Sequence, residues 1–261
     1  MPRRSEMRVV IPIAFALALS GAIHEGAHAE STPAPPSPPL IHLTRSDAWY
    51  GLAAVAGVGV LGLADNWFRE RAAASDGAGA DRLARSVRPF GAPQVLGPAL
   101  LLGYLGGRAL DRPGLSAASA RVAASVVIAG AAAGALKLAV GRVRPADSAQ
   151  ETDHFQPFSD HDSFPSGHAT LAFATATALD CETAARWVPW VAYPIAGLVG
   201  WLRVHDDRHW TSDVVGGAAL GYWTARKTED AVRVRAKRPG RLGILVETRS
   251  RPMRLGARFS F

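Results

Sequence analysis

The sequence predicts an all-α protein, a helical bundle of about six helices with a short β-hairpin or flexible tail at the C-terminus. Two observations carry this. Between Ala48 and Val234 the chain consists of long small-residue or apolar runs, punctuated by Pro, Gly and Asp and without the two-residue alternation of strands. No convincing strand pattern appears before Leu242.

The first helix is expected from a Ser46-Asp47 cap through Ala64, with Trp49 and Trp67 near its ends. Ser75 to Ala80 reads as a Gly-containing turn, and Asp81 to Arg88 as a short amphipathic piece stopped by Pro89. Pro93 to Leu110 is the next helix, and Asp111-Arg-Pro-Gly a turn. Ser116 to Val140 is a long helix of mostly small residues, which lets neighbouring backbones approach closely. Arg142 to Pro165 is a polar loop rich in Asp, His and Pro. Helices follow over Gly167–Ala185, Trp187–Leu202 and Ser212 to about Val234. In the last twenty residues, Leu242 to Glu247 and Arg254 to Phe261 alternate apolar and polar side chains, the pattern of a hairpin.

Residues 1–29 have the form of a secretory signal. Arg3, Arg4 and Arg8 precede an uncharged run, Val9 to Ile23, and Ala27-His28-Ala29 has the small-x-small form of a cleavage site. A first membrane helix left in place is the alternative. Residues 30–45 are a tether, Pro-rich from Thr32 to Pro39. Residues 46–236 form the helical domain, and residues 237–261 a basic tail. The net charge of +7 is uneven: from Arg226 to Phe261 eleven Lys or Arg face three acids, +8, and leave −1 for the rest. Such a tail suits either an anionic lipid surface or plain solvent. No nucleic-acid partner is expected. Cys181 is the single cysteine, so it forms no internal disulfide and no cysteine–metal site; it reads as a small buried side chain. The uncharged runs Ala48–Ala64, Pro89–Gly107, Val122–Leu136 and Trp187–Leu202 mostly fall short of a full bilayer span, yet tryptophans flank several of them as interface anchors would. Membrane association is the expectation.

Three stretches carry candidate chemistry. Lys137 is followed, seven residues on, by Arg144-Pro145, at the junction of the long helix and the polar loop. Two cations there can reach one phosphate, Arg through its planar fork and Lys as a point charge; they also suit a helix C-terminus without any ligand. Pro165-Ser166-Gly167-His168 opens a helix. Ser166 offers a hydroxyl, the Gly167 N–H can approach an anion closely, and His168 can give a proton to a leaving oxygen. Taken singly, Ser-Gly is a common helix cap. The third stretch places Arg203 six residues before His209 and Asp213 four beyond it, with Thr211 or Ser212 capping the last helix. A carboxylate in that first turn can fix the tautomer of His209 and leave its other nitrogen free to attack; His and Asp at a helix start are also ordinary capping groups.

The order and internal spacing of these stretches resemble the superfamily of type 2 phosphatidic acid phosphatases, bacterial non-specific acid phosphatases and vanadium-dependent haloperoxidases. Its pattern is Lys-x6-Arg-Pro, Pro-Ser-Gly-His and Ser-Arg-x5-His-x3-Asp. The chain departs at one position, Leu202 standing where the family usually has Ser, which puts a hydrogen bond near Arg203 in question. The resemblance runs from about Ser116 to Tyr222. It implies that Lys137, Arg144, Ser166, Gly167 and Arg203 bind phosphate oxygens. It implies His209 as the nucleophile that becomes phosphohistidine, Asp213 as its orienting group, and His168 as the acid that protonates the leaving group and then activates water. It implies no metal or other cofactor, with vanadate as an inhibitor.

The function expected is therefore metal-independent hydrolysis of a phosphomonoester or pyrophosphate, of a lipid in first place. The chain would act at the membrane or in the periplasm, with the active site on the periplasmic side. The alternatives are a vanadium-dependent haloperoxidase, an acid phosphatase on soluble phosphoesters, and a non-catalytic membrane protein of the same fold. Asp153, His154, Asp160, His161 and Asp162 lack a metal-ligand spacing and read as solvated loop. His205, Asp206 and Asp207 read as pocket rim, and Arg142 as added positive potential or a solvent-facing side chain.

Overall fold

The computed structural model describes residues 43–74, 77, 79, 86–148, 155–183 and 185–236. The signal-like segment, most of the tether, the C-terminal hairpin and part of the polar loop lie outside them. Seven α-helices are described: α1 Arg45–Gly62, α2 Asp65–Ala73, α3 Pro93–Ala109, α4 Pro113–Val140, α5 Gly167–Glu182, α6 Val188–His205 and α7 Thr211–Ala236. Short 3₁₀ turns, Arg88–Gly91 and Pro145–Asp147, precede α3 and follow α4. Among the described residues there is no strand, only an isolated bridge between Arg142 and Phe155.

The first helix starts two residues earlier than a Ser46 cap would place it. Thr44 is its cap, in a reciprocal box with Asp47, because that pairing satisfies two free N–H groups at once. The chain then bends by 63° at Leu63–Ala64 into α2, a helix not expected separately. α1 buries no residue of its own. Polar contacts tie it to α7: Tyr50 donates to the Ala219 carbonyl, and Asp47 accepts from Trp223 Nε1 and Lys227 Nζ.

α5 is the central helix, packed on α4, α6 and α7. Its buried positions are mostly Ala and Thr, so its neighbours come close. The partners on α7 must be equally small: a Cβ at Gly217 would lie 2.5 Å from the Ser166 carbonyl oxygen, and one at Gly221 2.2 Å from that of Thr170. This close approach sets the N-terminus of α5 against that of α7. Leu202, the departure from the family pattern, is 1% exposed and packs with Val87, Ala172, Ala176, Ala196 and Val199. Burying it contributes roughly 2 kcal/mol. The apolar side chain has joined the core where a hydroxyl would have needed a partner.

α4 ends at Gly141, whose φ of +56° is the left-handed cap conformation and whose Cβ would collide with the Gln156 carbonyl. That turn folds the polar loop back beneath α4. The loop's far end, Ser163 to Ser166, is pinned by backbone bonds from Ser163 N–H to the Arg142 carbonyl and from Ser166 N–H to the Asp213 carbonyl, both 2.9 Å.

Candidate active site

The end of α4, the starts of α5 and α7 and the last turn of α6 meet at one end of the bundle. All three stretches singled out in the sequence converge there.

His209 is 3% exposed, and its Nδ1 lies 2.8 Å from the Ser163 carbonyl oxygen. A carbonyl can only accept, so Nδ1 carries the proton and Nε2 keeps its lone pair. Asp213 Oδ2 stands 3.8 Å from Nδ1, beyond hydrogen-bond distance. Direct orientation of His209 by Asp213 is thus replaced by an indirect route. The Asp213 carboxylate accepts from Ser163 Oγ at 2.5 Å and Trp210 N–H at 2.9 Å, fixing the residue whose carbonyl holds the ring. Burial would raise the Asp213 carboxyl, but His209, Arg142 and Ser163 outweigh it and hold it below the ordinary carboxylate range. Burial lowers the basicity of His209, and the charges of Lys137 and Arg203 lower it further against the pull of Asp213. The ring is therefore neutral and able to act as a nucleophile at physiological pH.

Arg142 is 4% exposed, neither solvent-facing nor a loose source of potential. One prong donates to Asp213 Oδ1 at 2.6 Å and the other to Asp65 Oδ2 at 2.8 Å. Its guanidinium lies over the rings of Trp210 and Phe155. Asp65, which the sequence reading passed over, is wholly buried at the start of α2. It also accepts from the Ser212 N–H and hydroxyl, so Ser212 is held by another helix and does not cap α7. A single Asp in the first turn of a polar helix gives no sequence signal of such a role.

Lys137 and Arg203 act on His209 electrostatically, and Arg144 acts on both of them. Lys137 runs beside Gly167, where a Cβ would meet its Cε at 3.8 Å, and donates to the Asp162 carbonyl. Arg144 grips the Asp162 carboxylate with Nε at 2.8 Å and Nη2 at 3.0 Å. Asp162, assigned to solvated loop, is thus an anion held at the meeting of two basic side chains, though its own side chain is 48% exposed. Arg203 Nη1 lies 3.5 Å from Asp206 Oδ2, which also pairs with Arg88 Nη2 at 2.7 Å. Arg203 Nε and Ser166 Oγ are buried and find no partner among the described residues. Ser166 occupies the cap position of α5 without making a capping bond, so its hydroxyl is left over from helix chemistry. Two buried donors of this kind lie next to three cations and a helix N-terminus, a donor set that an anion would satisfy.

His168 opens onto a cleft it lines with Arg88, Pro89, Ala92, Gln94 and Val95. Burial first, then the charges of Arg203, His209, Arg88 and Lys137, push its imidazole from 6.5 down to about 4. It enters the cycle neutral and can take up a proton once a phosphate brings negative charge. Arg88 and the cleft were not foreseen. Of the remaining candidates, Asp207 pairs with Arg69 at 2.6 Å, His205 lies against the Trp201 ring, and Cys181 is half-buried near Arg226 rather than buried. Asp160 and His161 join no metal-like cluster among the described residues.

The helical fold gathers two histidines and three basic side chains at one end of the bundle, an arrangement chemically suited to an anion such as phosphate. The family model of the PAP2 superfamily matches residues 118–229 of the chain. It is 38% identical over 96 residues to a lipid A 1-phosphatase of Porphyromonas gingivalis, covering 33% of this chain and 19% of that protein. It is 37% identical over 110 residues to a lipid A 1-phosphatase of Rhizobium johnstonii, covering 38% and 41%. It is 34% identical over 88 residues to an undecaprenyl-diphosphatase of Sulfolobus acidocaldarius, covering 33% and 42%. The chain spans less than half the length of these curated relatives. Its fold is similar to the crystal structure of a transmembrane PAP2-type phosphatidylglycerolphosphate phosphatase from Bacillus subtilis, with a TM-score of 0.56 and 19% identity over 71% of this chain and 97% of that one. Among the described residues one helix, α4, is long and apolar enough to cross a membrane, or two if the bent pair α1–α2 counts as one.

Proposed function

We propose that this protein is a membrane-associated phosphatase that hydrolyses a lipid phosphomonoester or pyrophosphate through a phosphohistidine at His209. The observation that carries the reading is the 2.8 Å contact of His209 Nδ1 with the Ser163 carbonyl, which assigns the proton to Nδ1 and leaves Nε2 as the nucleophile, with Lys137 and Arg203 acting on the ring.

In the first step Nε2 attacks phosphorus and the bond to the leaving oxygen breaks. The three basic side chains, the Ser166 hydroxyl and the Gly167 N–H take the charge spread over the equatorial oxygens. His168, recharged by the proton that its phosphate neighbour favours, gives that proton to the leaving oxygen. In the second step neutral His168 removes a proton from water, which attacks phosphorus and breaks the P–N bond. All the positive charge needed is supplied by these side chains.

A lipid substrate is supported by the outward faces of the helices. Trp49, Leu52, Val55 and Val60 on α1 are exposed, as are Leu101, Leu102 and Leu105 on α3 and Val127 and Ile128 on α4. Faces of this kind suit a bilayer better than water. The relatives named for lipid A and undecaprenyl diphosphate point the same way.

The test is phosphate release by the full chain in detergent. Phosphatidic acid, phosphatidylglycerol phosphate, a polyprenyl diphosphate, a lipid A phosphate and p-nitrophenyl phosphate would be compared, with and without EDTA and vanadate. Turnover of a lipid phosphate, blocked by vanadate and untouched by EDTA, is expected. Turnover of soluble esters alone removes the lipid assignment. Loss of activity on chelation, restored by Mg²⁺ or Zn²⁺, removes the metal-independent mechanism.

A further inference from the structure

Three of the buried charged groups among the described residues lie behind His209, away from the cations of the candidate phosphate site. Asp65, Arg142 and Asp213 form a buried line in which one guanidinium serves two carboxylates, at 2.8 and 2.6 Å. Its formal charge is −1 + 1 − 1 = −1, in a place from which water is excluded. Arg142 and Asp213 alone would be neutral. The residue that makes the assembly negative is Asp65, and it lies outside the family-matched stretch, on a different helix.

This charge is matched to the chemistry proposed for His209, on which the inference rests. When Nε2 bonds to phosphorus while Nδ1 keeps its proton, the ring becomes a cation. Desolvation opposes that cation, and so do Lys137 and Arg203 on its phosphate side. Something on the other side must favour it. A pair with no net charge does so weakly; an assembly with a net negative charge in low dielectric does so strongly. We propose that Asp65 is a positioning residue for the nucleophile: it fixes Arg142 and the first turn of α7, and it gives the support beneath His209 the negative charge that stabilises the phosphorylated ring.

The bend between α1 and α2 serves this purpose. It turns the chain so that the first turn of α2 enters the bundle and delivers Asp65 to Ser212 and Arg142. Asp65 bonds Ser212 through both the N–H and the hydroxyl, so it holds the backbone three residues beyond His209 as well as the guanidinium beneath Asp213. The titratable and charged groups that face His209 come from five places: Lys137 from α4, His168 from α5, Arg203 from α6, Asp213 from α7 and, through Arg142, the loop. Asp65 is the one contribution from α2.

The experiment uses the full chain in detergent, with p-nitrophenyl phosphate as substrate. Three variants are compared with wild type: Asp65→Asn, Arg142→Gln, and the two combined. Thermal midpoint, kcat, KM and the ring-nitrogen NMR titration of His209 are read on each. Asp65→Asn keeps the shape and removes the charge. Its kcat should fall about 30-fold with KM within about threefold, because the phosphate-binding cations are untouched. The His209 titration, and with it the acid limb of kcat/KM, should move to lower pH. The double variant carries the distinctive outcome: it restores a net charge of −1 through Asp213 alone, so it should be faster than Asp65→Asn. A merely structural Asp65 would make the double variant the slower of the two.

The proposal is overturned if folded Asp65→Asn keeps near-wild-type kcat and an unmoved His209 titration, or if the double variant is slower than Asp65→Asn. If Asp65→Asn and the double variant both fail to fold, Asp65 is a folding residue and the proposal is overturned. Should wild type release no phosphate from any substrate, the phosphatase reading fails, whereas the NMR titration still shows whether Asp65 controls the basicity of His209.

Discussion

Around His209 the polar groups of the support are buried and mutually bonded. Asp213 has Ser163, Trp210 and Arg142; Arg142 has Asp213, Ser212 and Asp65. A few residues away, around Lys137, Arg144 and Arg203, the arrangement is different. Arg144 and Lys137 share a half-exposed aspartate, while Arg203 Nε and Ser166 Oγ have no partner among the described residues. A nucleophile has to arrive in one orientation and one tautomer every time, so its support is closed and fully satisfied. A ligand site has to exchange partners in each cycle, so its groups are held by contacts a phosphate can replace or by none. In the proposed mechanism the first arrangement is the part that reacts and the second the part that receives.

The most severe way to break this comparison is to remove the ring. His209→Ala should lower turnover by about 10⁴-fold or more and leave the thermal midpoint little changed, because Asp213, Arg142 and Asp65 still satisfy one another. Near-normal turnover in the folded variant would place the nucleophile elsewhere. His168→Ala tests the opposite side. Its loss should be about 10²- to 10³-fold for an alkyl phosphate and much smaller for p-nitrophenyl phosphate, whose leaving group needs no proton. An equal loss on both esters would mean that His168 is not the acid. Arg203→Lys probes the receiving side, where a point charge cannot reproduce a planar fork. Substrate kcat/KM and vanadate affinity should fall together, by about 10- to 100-fold. A change in one without the other would separate ground-state binding from the transition state.

Much of this was legible in the sequence, for reasons that differ by region. The helix order was readable because Pro, Gly and Asp mark the breaks at Pro93, Pro113, Gly141 and Gly167, and because the runs between them are too long for strands. The candidate site residues could be gathered from the sequence because their spacing lies within single segments: Arg203, His209 and Asp213 lie on one helix–turn–helix, and Ser166, Gly167 and His168 at one helix start. What stayed hidden depends on distant partners. Arg142 looks like any loop cation until the fold sets Asp65 and Asp213 against its two prongs, 77 and 71 residues away. The bond from His209 to Ser163 is made to a backbone carbonyl, which leaves no mark in any side chain. Asp162 looked like loop for the same reason: its meaning comes from Arg144 and Lys137, which reach it from the far side of the turn at Gly141.

The smallest expected effect sharpens the comparison most. Asp162 holds both prongs of Arg144 and lies 3.9 Å from Lys137 Nζ, so its carboxylate occupies part of the basic surface that a phosphate needs. A phosphate with two or three anionic oxygens competes well against one carboxylate that is half in water, since an exposed ion pair of this kind holds by only about 1 kcal/mol. Asp162→Asn keeps the side-chain length and an acceptor oxygen but gives up the charge. KM for phosphate esters and the inhibition constant for vanadate should both drop, by about threefold, with kcat nearly unchanged because nothing at His209 has moved. The gain should shrink at high salt, as expected for a contact between partly exposed charges. The opposite result has an equally definite meaning. If KM rises, Asp162 is the organiser of Arg144 rather than its placeholder, and the receiving side is as tightly built as the support beneath the nucleophile.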